Sequence, residues 1–212
     1  MTVLITGTTR GIGAALAKNM REVGERVLSV GRGENCIHVD LEDSNSIEAL
    51  ETKLKNVPID LLVCNAGIFI DRDQDLDYGY KSDLWLKTFS VNVISVFLLI
   101  QKMLPNIINA EGKIAIIASQ MGSQQKANGG DYIYRASKAA VINLGRNLAK
   151  DLSSRRVPVG IYHPGWVKTD MGGAKADISV EEAASGLIDR FSELSMKKTG
   201  CFETWDGKKH PL

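Results

Sequence analysis

A tyrosine and a lysine four residues apart form the first pair in this sequence whose types and spacing are suited to chemistry. Tyr134 and Lys138 precede apolar residues at helical spacing, and positions i and i+4 of a helix lie on one face. The pattern predicts a phenol beside an ammonium, which favours the ionised phenol and lowers the pKa of Tyr134 toward neutrality. Such a tyrosine can exchange a proton with a substrate oxygen. Tyr132 has Ala136 at the fourth position and lacks this partner.

The pair alone is a weak signal, because the 212 residues include five Tyr and 16 Lys. An ordinary exposed Tyr and Lys on a helix is the competing interpretation. The elements that would position the pair therefore decide between the two.

A glycine-rich turn follows the first apolar run. The strand-like residues 3–5 lead into Thr6-Gly7-Thr8-Thr9-Arg10-Gly11-Ile12-Gly13, after which apolar residues recur at helical spacing until Gly24. Glycines let the backbone approach a pyrophosphate, and the helix N-terminus offers free N–H groups and a positive dipole end. The spacing Gly-x3-Gly-x-Gly thus predicts a nucleotide-phosphate site, with a purely structural strand-to-helix turn as the alternative.

The end of the second predicted strand, over 26–30, indicates which nucleotide is bound. NAD-binding folds usually carry an acidic residue here to hold the ribose hydroxyls, whereas an arginine accepts the 2′-phosphate of NADP. This sequence has Gly31 followed by Arg32, and Arg10 in the glycine-rich turn supplies a second cation. We expect NADP(H), with NAD less favoured, unless Arg32 is only a surface charge.

Strands and helices alternate along the whole chain, which predicts one α/β domain over 1–212. The fold class is a doubly wound, mostly parallel, seven-stranded Rossmann sheet in three αβα layers. A third strand over 36–39 follows the second so closely that the helix between strands 2 and 3 must be deleted. The bare loop that replaces the helix is expected to leave the adenine end of the site open.

Two polar features interrupt this pattern. Asn92 lies in the middle of a long helix predicted over 81–110, where asparagine is a poor residue, so either a polar task or a tolerated core amide is expected. Residues 71–77 contain four aspartates and predict a solvated loop at the carboxyl end of a strand.

The bulk properties exclude several classes of function. A net charge of +1 gives no electrostatic case for nucleic acid, and the three Cys and three His have no metal-ligand spacing. No apolar run is expected to reach the length of a membrane span, and no signal peptide precedes the first strand. We expect a cytoplasmic, reduced, metal-free protein whose long helices, over 81–110 and 134–152, pair in a homodimer or tetramer.

The ordered set of motifs resembles the short-chain dehydrogenase/reductase family over almost the whole chain. The motifs are Thr6-Gly7-x3-Gly11-Ile12-Gly13, Asn65-Ala66-Gly67, Asn92, Ser119, Tyr134-x3-Lys138 and Pro164-Gly165. The chain looks like a small, single-domain member. Residues 163–173, with Gly200, Phe202, Asp206 and Gly207, resemble the C-factor and sniffer type of carbonyl reductase-like members.

The resemblance implies a role for each catalytic position. Tyr134 would be the general acid/base, and Lys138 would lower its pKa and hold the nicotinamide ribose. Ser119 would hydrogen-bond the substrate oxygen, and Asn92 would hold a water in a proton relay. The implied cofactor contacts are Thr6, Gly7, Thr9, Arg10, Gly11, Ile12 and Gly13 at the pyrophosphate, Arg32, Asp40 and Leu41 at the adenine end, Asn65, Ala66 and Gly67 at the adenosine and ribose, and Pro164, Gly165, Val167 and Thr169, with Thr169 at the nicotinamide amide.

Three departures from the family pattern qualify these roles. The interval from Ser119 to Tyr134 is longer than usual, which leaves Ser123 as an alternative. Cys64 stands where a second Asn is common. The segment after Thr169, a substrate lid in many members, is short, and its glycines predict mobility.

The leading hypothesis is an NADP(H)-dependent reductase acting on a small-molecule carbonyl or alcohol substrate, with hydride chemistry supplied by the cofactor. A nucleotide-binding regulatory or signalling protein with vestigial catalysis is the alternative. Epimerase or dehydratase chemistry is a third class, disfavoured because no large C-terminal substrate domain is expected.

Overall fold

The chain alternates strands and helices around one parallel sheet. A computed structural model describes residues 1–212. The strands are β1 (Thr2–Thr6), β2 (Arg26–Gly31), β3 (Ile37–His38), β4 (Leu61–Cys64), β5 (Lys113–Ile117), β6 (Val159–His163) and β7 (Phe202–Thr204). The α-helices are α1 (Gly11–Glu22), α2 (Ser44–Lys53), α3 (Ser82–Phe89), α4 (Ser95–Asn109), α5 (Tyr132–Asp151) and α6 (Val180–Glu193). The strand order is 3-2-1-4-5-6-7 and every pairing is parallel, which confirms the predicted doubly wound fold.

Helices cover both faces of the sheet, which explains why the central strands are apolar at nearly every position. All residues of β1, β4 and β6 are buried, as expected for parallel strands packed on two sides. On one face, α1 and α6 form a core with β1, β4, β5 and β6 that includes Leu16 and Leu187. On the other face, α2, α4 and α5 form a larger core that includes Ile47, Leu99 and Val141.

Strands β2 and β3 are joined directly by residues 32–36, so the predicted deletion of a helix is confirmed. The two strands pair in parallel through Val30 with Ile37 and Gly31 with His38. A local turn, in which Cys36 N donates to Gly33 O at 3.1 Å, reverses the chain without a helix. No helix therefore covers this end of the sheet between β2 and β3.

The helix predicted over 81–110 is continuous in direction but not in hydrogen bonding. Between α3 and α4, residues Ser90–Ile94 form a turn of π-helix, with Asn92 at its centre. A π-helical turn widens the helix locally and is frequent at functional sites. Asn92 thus lies in a π-helical turn that the spacing of apolar residues did not predict.

By length and composition, the helical segment Ser82–Asn109 is sufficient to cross a membrane, with a mean hydropathy of 1.7 in its most apolar window. The expectation that no segment would have this property is therefore wrong, because polar residues such as Ser90 and Asn92 interrupt the apolar run without lowering the average enough. In this fold 44% of the window is buried, and Leu99 and Met103 pack in the core. The segment is a helix of the outer layer that covers the sheet.

Candidate active site

The carboxyl ends of β1, β4, β5 and β6 meet at one edge of the sheet. The chain leaves β1 toward β2 on one side and β4 lies on the other, so β1 and β4 flank a topological switch point. Ligands of open parallel sheets bind in the crevice that forms there. The candidate site is therefore assembled from the segments that follow these four strands.

The glycine-rich turn between β1 and α1 is shaped for close approach of the backbone. Gly7 has a φ of +72°, and a Cβ on Gly13 would lie 2.2 Å from Gly7 O, so neither position tolerates a side chain. The N-cap residue of α1, Arg10, makes no side-chain capping bond, and the N–H groups of Gly11, Ile12 and Gly13 have no acceptor in the protein. Free N–H groups at a helix N-terminus fit an anionic diphosphate.

Two of the predicted cofactor residues have their polar groups engaged in holding this turn. Thr6 Oγ1 accepts from the N–H groups of Asn65 at 3.1 Å and Ala66 at 3.0 Å. Asn65 Nδ2 donates in return to Thr6 O at 2.9 Å and Gly7 O at 3.2 Å. These bonds lock the glycine-rich turn to the segment after β4, so the two residues shape the crevice through their neighbours.

The two arginines that were predicted at a 2′-phosphate differ in their contacts. Gly31 is the last residue of β2, and Arg32 beyond it is exposed and belongs to none of the ion pairs. Arg10 instead pairs with Asp170, at 2.6 Å between Nη1 and Oδ2. Only Arg32 is therefore free to bind a phosphate without breaking an existing contact.

The predicted adenine contacts, Asp40 and Leu41, follow β3 beside the uncovered end of the sheet. Asp40 Oδ1 accepts from Glu42 N at 3.0 Å, and Asp40 N donates to Ser46 Oγ at 2.9 Å. Thr9 reaches across the same region, because a Cβ on Gly33 would lie 2.6 Å from Thr9 Cγ2. The loop after β2 is thus packed against the glycine-rich turn.

Tyr134 and Lys138 lie side by side in the first two turns of α5, and both are buried. Lys138 Nζ is 5.7 Å from the centre of the Tyr134 ring and donates to Ile117 O at 3.0 Å. Burial lowers the pKa of Lys138 to about 8. The predicted pairing of phenol and ammonium on one helix face is therefore present.

The predicted lowering of the Tyr134 pKa is not found. Burial of the phenol is the largest influence and raises the pKa of Tyr134 to about 12, while the Ser119 hydroxyl lowers it by less. The sequence reasoning counted the cation and left out the loss of water around the phenol, which disfavours the charged form. Tyr134 is accordingly protonated at neutral pH.

Ser119 faces Tyr134 from the end of β5. Its Oγ accepts from Met121 N at 3.2 Å, and the same hydroxyl acts to lower the pKa of Tyr134. Ser123, the alternative, is buried, and its hydroxyl has no hydrogen-bond partner. It is not among the groups that shift the pKa of Tyr134. A short 3₁₀ turn, Gln120–Gly122, follows Ser119 in the interval to Tyr134.

The Asn92 side chain is bonded to the segment that follows β4 and to Ser137 of α5. Its Oδ1 accepts from Ile68 N at 2.8 Å, and its Nδ2 donates to Ile68 O at 2.9 Å and to Ser137 Oγ at 3.0 Å. A Cβ on Gly67 would lie 3.3 Å from Asn92 Oδ1 and 3.4 Å from Lys138 Nζ. The missing side chain of Gly67 leaves the space in front of the amide and the ammonium open, where a ribose could lie.

The segment after β6 crosses above the glycine-rich turn. Val167 is buried and bridges Ile178, and a Cβ on Gly11 would lie 3.3 Å from Thr169 Cγ2. Gly172 is explained by packing rather than by mobility, since a Cβ there would lie 1.9 Å from Val167 O. Trp166 Nε1 donates to Gly172 O at 2.8 Å and closes this turn.

Pro164 and Gly165 begin the same segment directly after β6. Gly165 has a φ of +89°, and a Cβ there would lie 2.5 Å from Ile178 Cδ1. The close contact turns the chain toward the crevice, which brings Thr169 to Gly11.

Three residues beside Tyr134 were not predicted. The Phe69 ring stacks on the Tyr134 ring at 4.3 Å, and Met171 Sδ lies 4.0 Å from the Tyr134 hydroxyl. Asp71, which was expected in a solvated loop, is completely buried and accepts from the backbone N–H groups of Ile133 and Tyr134. The expectation for this aspartate is wrong, because its partners lie 62 and 63 residues away in the sequence.

The doubly wound parallel sheet, with a glycine-rich turn at its switch point, defines the Rossmann class of folds. A family model described as short chain dehydrogenase matches residues 1–178. The chain therefore belongs to the short-chain dehydrogenase/reductase family, as the order of its motifs indicated.

Known proteins similar to the chain include enzymes of this family. The 1-hydroxy-2-glutathionyl-2-methyl-3-butene dehydrogenase of Rhodococcus sp. (strain AD45) is 31% identical, and the match covers 97% of each chain. The structure of the carbonyl reductase Sniffer of D. melanogaster superposes with a TM-score of 0.93 at 26% identity, covering 100% of this chain and 99% of that one. An NADPH-bound carbonyl reductase from chicken fatty liver superposes with a TM-score of 0.90 at 27% identity, covering 100% and 98%.

Proposed function

We propose that this chain is an NADP(H)-dependent reductase that converts a carbonyl group into an alcohol with Tyr134 as proton donor. The observation that carries the proposal is the placement of a buried tyrosine between Ser119 and Lys138, beside a turn whose free N–H groups fit a diphosphate. The similarity to carbonyl reductases, one of them NADPH-bound, supports it.

Tyr134, Ser119 and Lys138 have different roles in the proposed reaction. NADPH, when bound, supplies the hydride that the carbonyl carbon receives. Tyr134 donates its proton to the carbonyl oxygen, which Ser119 orients by a hydrogen bond. The phenol becomes a phenolate in this step, and the nearby Lys138 ammonium, the dominant form below a pKa of about 8, stabilises that charge.

The protonated form of Tyr134 is the one that carbonyl reduction requires. With a pKa of about 12, Tyr134 is protonated at neutral pH and ready to act as an acid. Alcohol oxidation would require the phenolate at the start, a form that burial disfavours. The proton that Tyr134 loses is replaced through Lys138, with a water held near Asn92 as the proposed relay.

The choice of NADPH over NADH rests on the end of β2. Gly31 offers no carboxylate to the ribose hydroxyls, and Arg32 is a free cation at the same place. An acidic residue at Gly31 would repel a 2′-phosphate, and its absence removes that barrier.

The test is a screen of NADPH oxidation over aldehydes, ketones and quinones. We expect turnover by the parental protein and a loss of about 10²- to 10⁴-fold in Tyr134→Phe, the range for a positioned proton donor. Tyr132→Phe is the matched control, since Tyr132 is on the same helix but more than a third exposed. The proposal is wrong if the protein binds NADPH but turns over no substrate, or if Tyr134→Phe and Tyr132→Phe have equal rates.

We also propose that two copies pair through α4 and α5 in the cytoplasm. Ile94, at the end of the π-helical turn, and Phe97 and Ile108 of α4 remain exposed in the single chain. The three unpaired cysteines support a reducing compartment. Light scattering on Phe97→Glu tests the pairing: a dimer in the parental protein and a monomer in the variant are expected.

A further inference from the structure

Asp71 is a buried carboxylate that the proposed reaction does not use. It lies in the loop after β4, has no exposed surface and has no Lys or Arg nitrogen within ion-pair distance. A buried charge without a countercharge is costly unless hydrogen bonds satisfy it. The position of Asp71 therefore requires an explanation.

The partners of Asp71 are the first N–H groups of α5. Asp71 Oδ2 accepts from Ile133 N at 2.8 Å, and Oδ1 accepts from Tyr134 N at 3.2 Å. The N-cap residue of α5, Asp131, has a φ of +47° and makes no side-chain capping bond. Asp71 thus caps α5 from another part of the chain and places its charge at the positive end of the helix dipole.

The same loop holds the Tyr134 side chain. Phe69 stacks on the phenol ring with an interplanar angle of 18°, and the Arg72 guanidinium carbon lies 4.8 Å from the centre of the Phe69 ring. Arg72 Nη2 also donates to Met171 O at 2.5 Å, which connects the loop to the segment after β6. The loop after β4 therefore contacts both the backbone and the ring of Tyr134.

We propose that Asp71 is a positioning residue for the reaction, which clamps the backbone of Tyr134 so that the phenol meets the substrate oxygen in one geometry. This inference rests on the proposed role of Tyr134. Asp71 acts through the α5 N-terminus, since its carboxylate has no exposed surface to offer a ligand.

The charge of Asp71 also acts on the phenol, since the carboxylate contributes to raising the pKa of Tyr134. Other ionisable groups face this region from every surrounding element. They are Lys138, Arg135 and Asp131 on or next to α5, and Arg72, Asp73 and Tyr80 in the loop after β4. None of their side chains bonds to the Tyr134 backbone, so Asp71 is the one whose removal changes geometry and charge together.

Two substitutions separate these contributions. Asp71→Ala removes the clamp and the charge, whereas Asp71→Asn keeps one acceptor oxygen and removes the charge. We expect kcat to fall about 10- to 100-fold in Asp71→Ala, because a displacement of the reacting group by about 1 Å has such an effect. Asp71→Asn should recover part of that loss, and the NADPH dissociation constant should stay within about twofold in both.

The pH profile gives a readout that a purely structural role would not move. The reduction requires the Lys138 ammonium and protonated Tyr134, so its rate falls as the pH rises, first through the pKa of Lys138 and then through that of the phenol. Removing the anion in Asp71→Asn lowers the pKa of the phenol, so the phenol's part of the pH profile should move to lower pH, whereas the part set by Lys138 stays in place. Asp77→Asn is the matched control, with the same loss of charge from an exposed position in the same loop.

The outcomes distinguish this inference from the proposed function. If Tyr134→Phe is inactive while both Asp71 variants, compared per folded molecule, keep the parental kcat and pH profile, the positioning role is wrong and the function stands. Reduced unfolding free energy with unchanged kinetics also overturns the inference. If Tyr134→Phe retains parental turnover, the proposed function fails. If Asp71→Ala does not fold, Asp71→Asn against Asp77→Asn decides the question.

Discussion

Replacing Arg32 with alanine is expected to separate the affinities for NADPH and NADH. Arg32 follows β2 at the position where the two nucleotides differ, and it is exposed and outside every ion pair. The substitution breaks no internal contact. Its effect on binding therefore reports the cation alone.

The magnitude follows from that exposure. A hydrogen bond to a charged group contributes about 1.5–3 kcal/mol, and exposure to water reduces such an interaction toward the value of a surface ion pair. We expect a loss of about 1.4 kcal/mol, which is about tenfold in the NADPH dissociation constant. NADH lacks the 2′-phosphate, so its dissociation constant should change by less than about twofold.

Titration of each nucleotide by fluorescence measures both constants directly. Arg10→Ala is the comparison, and its loss of NADPH affinity should be smaller because Arg10 must first leave Asp170. The Arg32 effect should shrink at high ionic strength, as screening requires. Equal losses for both nucleotides, or equal affinities in the parental protein, would refute the assignment of the 2′-phosphate to Arg32.

Three further substitutions test the crevice and the core. In Gly13→Ala the new Cβ would lie 2.2 Å from Gly7 O, so NADPH affinity should fall at least about tenfold, and parental affinity in a titration would contradict this. Lys138→Met should unfold at higher urea concentration than the parent near neutral pH, because the pKa of Lys138 is lowered from 10.5 to about 8 and its protonated form is disfavoured in the fold. Between these two pKa values the unfolded chain binds more protons than the folded chain, so the stability of the parent rises with pH. The difference in unfolding free energy between Lys138→Met and the parent should therefore become smaller as the pH rises. A difference that stays constant with pH would contradict the reasoning. Leu99→Ala, at a buried position of α4, should lower the unfolding free energy by about 2–5 kcal/mol, against less than about 0.5 for the exposed Val23→Ala.

The parts of the fold that rest on local patterns were predictable from the sequence. The apolar run of β1, the glycine-rich turn and the helical spacing after it lie within one short stretch, and the structure follows them. The missing helix between β2 and β3 was also predictable, because the length of chain between the two strands excludes a helical crossover.

The interior of the site was less predictable, because it depends on partners far apart in the chain. Asp71 lies among aspartates that are mostly exposed, and only the folded chain brings it to the α5 N-terminus. Asn92 lies in a π-helical turn and bonds to Ile68, and a periodicity of apolar residues encodes neither feature. The pKa of Tyr134 depends on burial depth, a quantity that residue types alone do not give.

The two outermost strands of the sheet are its shortest. β3 has two residues and β7 has three, and an antiparallel bridge between Glu203 and Lys209 covers part of the β7 side. Unpaired strand edges are templates for the addition of foreign strands, and short or covered edges suppress that hazard. Both edges of the sheet therefore offer little free backbone with which a foreign strand could pair.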